Sequence, residues 1–229
     1  MVQVIRIFAA ACLLAIAGLV GAALPAAGDK FVYRVANGYN NEMRGHLQYR
    51  VESVDAERVT VAVTPDHASL GPARTETYTR AGNWLRHPLI NHDQPVEYEF
   101  APAFPAFDIP LDAGKSWSMR VQATDPASGR RASVRVDGAV VGSERITVPA
   151  GAFDTIKVRR YVYAGDWDGF RQPTTIVETD WYSPAFGRAV RSESKSEYID
   201  VSRGRGKGSQ WLRGDWIVME LTEFAAAKP

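Results

Sequence analysis

Two histidines and an aspartate lie close together between His87 and Asp93, in the sequence His-Pro-Leu-Ile-Asn-His-Asp. Imidazole nitrogens and carboxylate oxygens are ligands of divalent metals such as zinc. The proline-bearing segment does not hold His87, His92 and Asp93 in a ligating geometry, and no helix-borne His-Glu pair accompanies them. We interpret the segment as a solvated loop and predict no metal site and no cofactor.

Paired carboxylates are the second candidate for chemistry, because two such groups act as acid and base in glycoside cleavage. Glu97 with Glu99, and Glu178 with Asp180, lie two residues apart and therefore on one face of a strand. Solvent-facing strand positions commonly carry such pairs, so we interpret them as surface residues. The Gly-x-Ser-x-Gly elbow of serine hydrolases is absent. The sequence therefore predicts no catalytic residues, and we expect a protein that is not an enzyme.

A cationic stretch is the third candidate, with Arg203, Arg205 and Lys207 separated by single glycines. It lacks the Gly-Lys-Ser/Thr ending of a phosphate-binding loop. We interpret it as a cationic hairpin tip. Contact with anionic lipid headgroups, lipopolysaccharide or an acidic partner is the functional alternative for this tip.

The elements that position these residues are predicted to be strands. From Phe31 onward apolar residues recur at every second position, as in Leu47, Tyr49 and Val51 or Ile217, Met219 and Leu221. This is the period of a β-strand, and it gives about eleven candidate strands and no helix.

Turn residues such as Asn37-Gly38 and Asp168-Gly169 separate the candidate strands in the manner of hairpins. Consecutive hairpins build one antiparallel sheet, and so many twisted strands curl toward closure. We predict an all-β fold with a single, strongly curved antiparallel sheet that forms a closed or half-open β-barrel. A two-sheet β-sandwich is the alternative.

The segment from Ala101 to Leu111 interrupts the alternation with three prolines, Pro102, Pro105 and Pro110, among large apolar residues. Proline does not pair in a central strand, yet the segment is too apolar to remain in water. We expect it to fold onto the sheet. Phe104 and Phe107 then belong either to a plug that seals one end of the barrel or to a lid over a ligand cavity.

Arg188 to Asp200 is polar on both strand faces, with charged residues such as Arg191 and Glu193 on one face and serines on the other. Such a strand lies at an edge, projects as a hairpin arm or lines a wet interior. It argues against an outer-membrane barrel, whose lipid-facing side is apolar.

The first residues have the order of a secretory signal: a single cation, Arg6, then an apolar stretch from Ile7 to Val20, then small residues. Cleavage is expected between Ala23 and Asp29. We assign residues 1–28 to a signal peptide, 29–224 to one β-barrel-like domain and 225–229 to a disordered tail. The apolar stretch is short for a membrane anchor, so no transmembrane span is expected after cleavage.

The single cysteine, Cys12, lies inside the signal, so no disulfide or thiolate metal site is expected in the mature domain. Of the 27 basic residues only Arg6 lies in the signal, and the rest balance the 26 acidic residues. A neutral domain gives no reason to expect a nucleic-acid partner.

Three segments resemble the bacterial envelope proteins grouped as domain of unknown function 3108. They are Ile109-Pro110-Leu111 with Gly114-Lys115-Ser116-Trp117, Val148-Pro149-Ala150-Gly151-Ala152-Phe153-Asp154 with Lys157-Val158, and Thr179-Asp180-Trp181-Tyr182-Ser183-Pro184 with Gly187-Arg188 and Val190-Arg191. The resemblance implies a Gram-negative envelope or periplasmic location and a curved antiparallel sheet. It carries no catalytic residue across.

The residues of these segments are interpreted as structural. Pro149 and Gly151 suit a tight turn, after which Phe153 returns to the core. Trp181 is expected to fill the interior, and Gly187 to permit the bend into the next strand. The structural set comprises Pro110, Gly114, Trp117, Pro149, Gly151, Phe153, Trp181, Tyr182, Pro184 and Gly187.

Together these features predict a non-enzymatic periplasmic protein that binds an envelope lipid, glycan or protein partner, with Phe104, Phe107 and the cationic tip as candidate contacts. The alternative is an assembly factor that docks through the arm from Arg188 to Ser209. A hydrolase of envelope polymers is less favoured, and it requires His87, His92 and two carboxylates to converge in a cleft.

Overall fold

The computed structural model describes residues 25–91, 94–165, 171–200 and 211–227, and within these ranges the chain forms a closed antiparallel barrel of twelve strands. A single turn of 3-10 helix, Ala68–Leu70, connects the third and fourth strands. The strands are β1 Lys30–Asn37, β2 Met43–Val54, β3 Arg58–Pro65, β4 Arg74–Thr79, β5 Trp84–Asn91, β6 Gln94–Phe104, β7 Ser116–Thr124, β8 Arg131–Val148, β9 Gly151–Gly165, β10 Arg171–Ser183, β11 Arg188–Asp200 and β12 Trp211–Ala225.

The barrel closes because the first strand pairs with the last. Tyr33 of β1 lies opposite Leu221 of β12, and every other strand pairs with its neighbours along the chain. Closure leaves no unpaired sheet edge. The predicted all-β fold with one curved antiparallel sheet is confirmed, and the closed barrel replaces both the half-open barrel and the sandwich.

Alternation along the strands builds the core. In β3 Val59, Val61 and Val63 are buried while the residues between them are more exposed. Side chains in a strand point alternately to opposite faces, so the two-residue period directs one set into the barrel. The buried residues form two clusters, one around Phe104, Val136 and Val158 and one around Phe31, Val61 and Leu221.

The proline-rich segment after β6 packs into one end of the barrel. The Phe104 ring stacks on Trp84 with centroids 4.2 Å apart, and the Phe107 ring lies 4.9 Å from that of Tyr182. The Trp117 indole N–H donates to the carbonyl of Pro105 at 3.0 Å. Of the two expected arrangements, this packing is that of a plug, although Phe107 also reaches the cavity described below.

Glycine is required at two points near this end. Gly151 has a φ of 136° in the tight turn between β8 and β9, which matches its predicted role after Pro149. A Cβ on Gly138 would lie 2.1 Å from the Trp117 ring, so only glycine accommodates that indole.

Trp181 departs from its expected interior position. Its neighbour Tyr182 packs in the core cluster, and alternation places Trp181 on the opposite, outer face of β10. There its indole N–H donates to Glu144 at 2.7 Å, and Lys157 and Arg191 cover the ring. The indole is buried by cationic side chains outside the barrel rather than by the core.

Candidate functional site

The barrel encloses a cavity of about 240 Å³. Its wall comes from β1 to β5 and from β9 to β12, together with Phe107 of the plug. Lining residues extend from the β4–β5 turn at the plug end to Arg44 and Asp215 near the opposite end. The cavity therefore runs along one side of the barrel interior.

Aliphatic side chains form much of this wall. All but Leu70, which lies in the 3-10 turn, are inward positions of neighbouring strands, and all belong to, or pack against, the second core cluster. They comprise Val35, Leu47, Val51, Val59, Val61, Leu70, Ile217 and Met219. Such a surface favours an apolar group over water.

Arg160 anchors the polar part of the wall on β9. Its guanidinium donates to Glu178 at 2.9 Å, to Asp180 at 2.7 Å and to the carbonyl of Ala106 in the plug at 2.9 Å. The residue is 1% exposed, so these three bonds compensate for the loss of water. Burial raises the pKa of the Glu178 carboxyl above its ordinary value, against the opposing charge of Arg160.

A second buried polar group surrounds Glu76 on β4. Arg74 donates to the carboxylate at 2.8 Å, the Tyr78 hydroxyl donates to it as well, and His87 Nε2 lies 3.5 Å away. Burial raises the pKa of Glu76, but His87, Arg74 and Tyr78 outweigh that effect and hold it below its usual value. Burial also lowers the pKa of His87, against the opposing charge of Glu76.

Arg188, the first residue of β11, is held differently. Its guanidinium carbon lies 4.6 Å from the Phe31 ring centroid and 4.8 Å from that of Tyr49. The Tyr33 ring centroid lies 5.5 Å from the same carbon, and the Tyr33 hydroxyl donates to the carbonyl of Ala189 at 2.8 Å. Among the described residues no carboxylate pairs with Arg188, and its buried Nε has no hydrogen-bond partner.

The inner face of β11 continues from Arg188 toward the opposite end of the barrel. Ser192 and Ser194 line the cavity there, near an ion pair of 3.1 Å between Arg44 and Asp215. Of the three arrangements expected for the polar segment from Arg188 to Asp200, the one observed is a strand that lines the interior. A free edge or projecting arm is excluded for these residues, because β11 pairs with β10 and with β12.

The structure places two of the five predicted contact residues. Phe104 and Phe107 lie at the plug end. Arg203, Arg205 and Lys207, in the sequence between β11 and β12, lie outside the described residues.

Two interpretations of the candidate chemistry are corrected. His87 lies within β5 and faces the interior, not a solvated loop; His92 and Asp93 lie outside the described residues. Glu178 and Asp180 face the barrel interior and pair with Arg160 rather than lying on the surface. The other pair does lie outside: Glu97 pairs with Arg86, and Glu99 is exposed.

The interior position of Arg160 was not predicted from the sequence, because charged residues were assigned to the outer face of the strands. Arg160 stands between Val158 and Val162, which are both completely buried, so its strand phase points inward. Glu178 likewise stands two residues after the buried Ile176. The sequence signal was a charged residue that shares its strand face with buried aliphatic residues.

In the part of the chain that the structure describes, no group of three or more His, Cys, Asp or Glu side chains could hold a metal ion. No helix there has the length and apolar composition to cross a membrane.

Two solved structures share the fold. A “putative lipoprotein” from Parabacteroides distasonis ATCC 8503 has a TM-score of 0.55 and 16% identity, over 88% of this chain and 97% of that one. A “putative exported protein with YmcC-like fold” from Bacteroides fragilis NCTC 9343 has a TM-score of 0.52 and 15% identity, over 88% and 98% of the two chains. At these identities the likeness shows the fold alone.

No protein-family model and no curated protein matches the sequence. The resemblance to domain of unknown function 3108 therefore stays a prediction.

Proposed function

We propose that this chain is a non-enzymatic protein of the bacterial envelope that binds a small amphipathic molecule inside its barrel. The observation that carries the proposal is the cavity of about 240 Å³ between aliphatic and polar walls. An interior that only stabilised the fold would be filled, because protein cores are packed as densely as organic crystals.

The composition of the wall supports an amphipathic ligand. Val59, Val61 and Met219 present aliphatic surface, while Arg188 and Ser194 present polar groups to the same space. Small-molecule sites combine a mainly apolar lining with a few placed polar groups, and usually enclose about 300–1,000 Å³. The volume is just below that range, so a single short chain fits the site better than a lipid with several chains.

Export to the periplasm is the second part of the proposal. It is supported by the charged, apolar and small-residue order of residues 1–28 and by the resemblance to envelope proteins. The two solved structures compared above are called a lipoprotein and an exported protein, which agrees with this location.

Titration with the neutral fluorescent probe N-phenyl-1-naphthylamine tests the cavity. Val61, which is 2% exposed, lines it, whereas Val141 is 51% exposed. We expect the wild type to bind the probe, Val61→Phe to weaken binding at least about tenfold by filling the space, and Val141→Phe to bind like the wild type. Circular dichroism and melting curves check that both variants fold, since overpacking costs about 1–3 kcal/mol.

Native mass spectrometry of the protein from its own envelope gives an independent test. Co-purification of a small apolar molecule supports the proposal. A wild type that neither binds the probe nor carries a ligand would overturn it.

A further inference from the structure

Among the described residues, the charges that face the barrel interior are paired with one exception. Glu76 accepts from Arg74, and both Glu178 and Asp180 accept from Arg160. Arg44 and Asp215 pair near the far end. Arg188 is left as the interior cation that no carboxylate of the described chain neutralises.

An unpaired guanidinium beside an apolar cavity is costly for the folded protein. Arginine remains charged under all ordinary conditions, and a buried charge is tolerated when it is paired and hydrogen-bonded. The rings of Phe31, Tyr33 and Tyr49 stabilise Arg188 only in part, because its Nε still has no acceptor.

Arg74 offers a second unpartnered N–H to the same cavity. Its side chain is 7% exposed, and its Nη1 is buried with no hydrogen-bond partner, although its other nitrogens reach Glu76. Both arginines line the cavity together with Tyr49 and Tyr78. Two guanidinium groups with unused donors around one space form a site for an acceptor with negative charge.

We propose that the cavity ligand is an anionic amphiphile whose carboxylate or phosphate pairs with Arg188 and accepts from Arg74, with its apolar chain along the valine-rich wall. This inference rests on the proposed function and narrows its ligand class. The shared chemistry is a compact anion on a single alkyl chain, supplied by either a fatty acid or an alkyl phosphate.

Calorimetric titration with three ligands of equal chain length tests the headgroup: dodecanoate, dodecyl phosphate and the neutral dodecanol. We expect the wild type to bind at least one anion about tenfold or more tightly than dodecanol. Preference for dodecanoate identifies a fatty acid, and preference for dodecyl phosphate identifies a phosphate ester. Equal binding of all three would overturn the inference but leave the proposed function intact, whereas binding of none would refute both.

Substitution of Arg188 tests the residue. Arg188→Met should reduce anion binding at least about tenfold and by a much larger factor than dodecanol binding, while Arg188→Lys should restore part of the anion preference without the bidentate geometry. Arg120→Met removes an exposed arginine outside the cavity and serves as the matched control. Retention of the anion preference in Arg188→Met would overturn the inference.

The melting temperature of the ligand-free protein distinguishes a ligand-binding role of Arg188 from a structural role. Removal of the Arg188 charge leaves no buried carboxylate of the described chain unpaired. Arg188→Met should therefore lower the melting temperature by no more than about 4 °C. Arg160→Met orphans Glu178 and Asp180, so its melting temperature should fall well below that of Arg188→Met. A fall of equal size in both variants would show that Arg188 is a structural cation and would count against the inference.

Discussion

His87 shows how a single side chain is fixed by its surroundings in the barrel. Its ring stacks on Trp84 with centroids 3.9 Å apart, and Nδ1 lies 2.7 Å from the carbonyl of Pro88. A carbonyl only accepts, so Nδ1 carries the proton and donates. Burial lowers the pKa of His87 despite the nearby carboxylate of Glu76.

The lowered pKa predicts a loss of stability in acid. Histidine in an unfolded chain titrates near pH 6.5. Below about that pH the unfolded chain therefore binds a proton at residue 87 more readily than the folded chain does. The contribution is present above that pH and is lost as the pH falls toward the lowered value, by at most about 1.4 kcal/mol per pH unit. His87→Phe keeps the stacking and should remove this part of the acid sensitivity, as measured by urea unfolding at about pH 7.5 and 5.5.

His46, whose side chain is 39% exposed and pairs with Asp66, supplies the comparison. His46→Gln should retain the part of the acid sensitivity that His87→Phe abolishes. An identical pH dependence in the wild type and in His87→Phe would contradict the assignment.

At the scale of the element, alternation predicts strands but does not say which face is inside when both faces are polar. β11 carries Arg188, Ser192 and Ser194 toward the interior, and only its pairing with β10 and β12 settles the orientation. Trp181 shows the converse, because a large aromatic residue was expected in the core and lies outside. Which face of a strand points into the barrel depends on the strand register, and contacts between distant parts of the chain set that register.

The plug is an element whose energetic role is directly testable. Phe104 is 0% exposed and stacks on Trp84, whereas Ile109, in the same segment, is 42% exposed. Phe104→Ala should lower the free energy of unfolding by about 3–5 kcal/mol, because it leaves a hole in a packed core. Urea unfolding monitored by tryptophan fluorescence measures the loss.

Ile109→Ala is the matched control and should change stability by less than about 0.5 kcal/mol. A movable lid would give a different result. In that case Phe104→Ala would leave stability near that of the wild type and change only ligand affinity.

For the whole molecule, the number and regularity of the strands predicted a curved sheet, and the pairing of Tyr33 with Leu221 closes it. The cavity was not predictable in the same way. The cavity is the space that side chains from nine strands leave unfilled. No local sequence pattern determines that space, because it depends on how distant residues pack. The fold was therefore predictable from the periodicity of apolar residues, whereas the candidate site depends on side-chain packing.

Contacts before β1 bear on where the proposed signal peptide would be cut. The Ala26 N–H donates to the Asp29 carboxylate at 2.8 Å, and the Gly28 N–H donates to the carbonyl of Val51 at 2.8 Å. These residues belong to the folded barrel, although the sequence boundary placed them in the signal. Cleavage after Ala23 keeps both contacts, whereas cleavage after Gly28 removes them.

We therefore expect the protein recovered from the periplasm to begin immediately after Ala23, as measured by intact mass. Ala23→Arg places a large cation where the signal peptidase reads a small side chain, so it should block processing, and Ala27→Arg should be cut like the wild type. A mature chain that begins at Asp29 would show that the turn before β1 is dispensable. An uncut wild-type chain would remove the main sequence support for an envelope location, while leaving the cavity and its proposed ligand to be judged by binding alone.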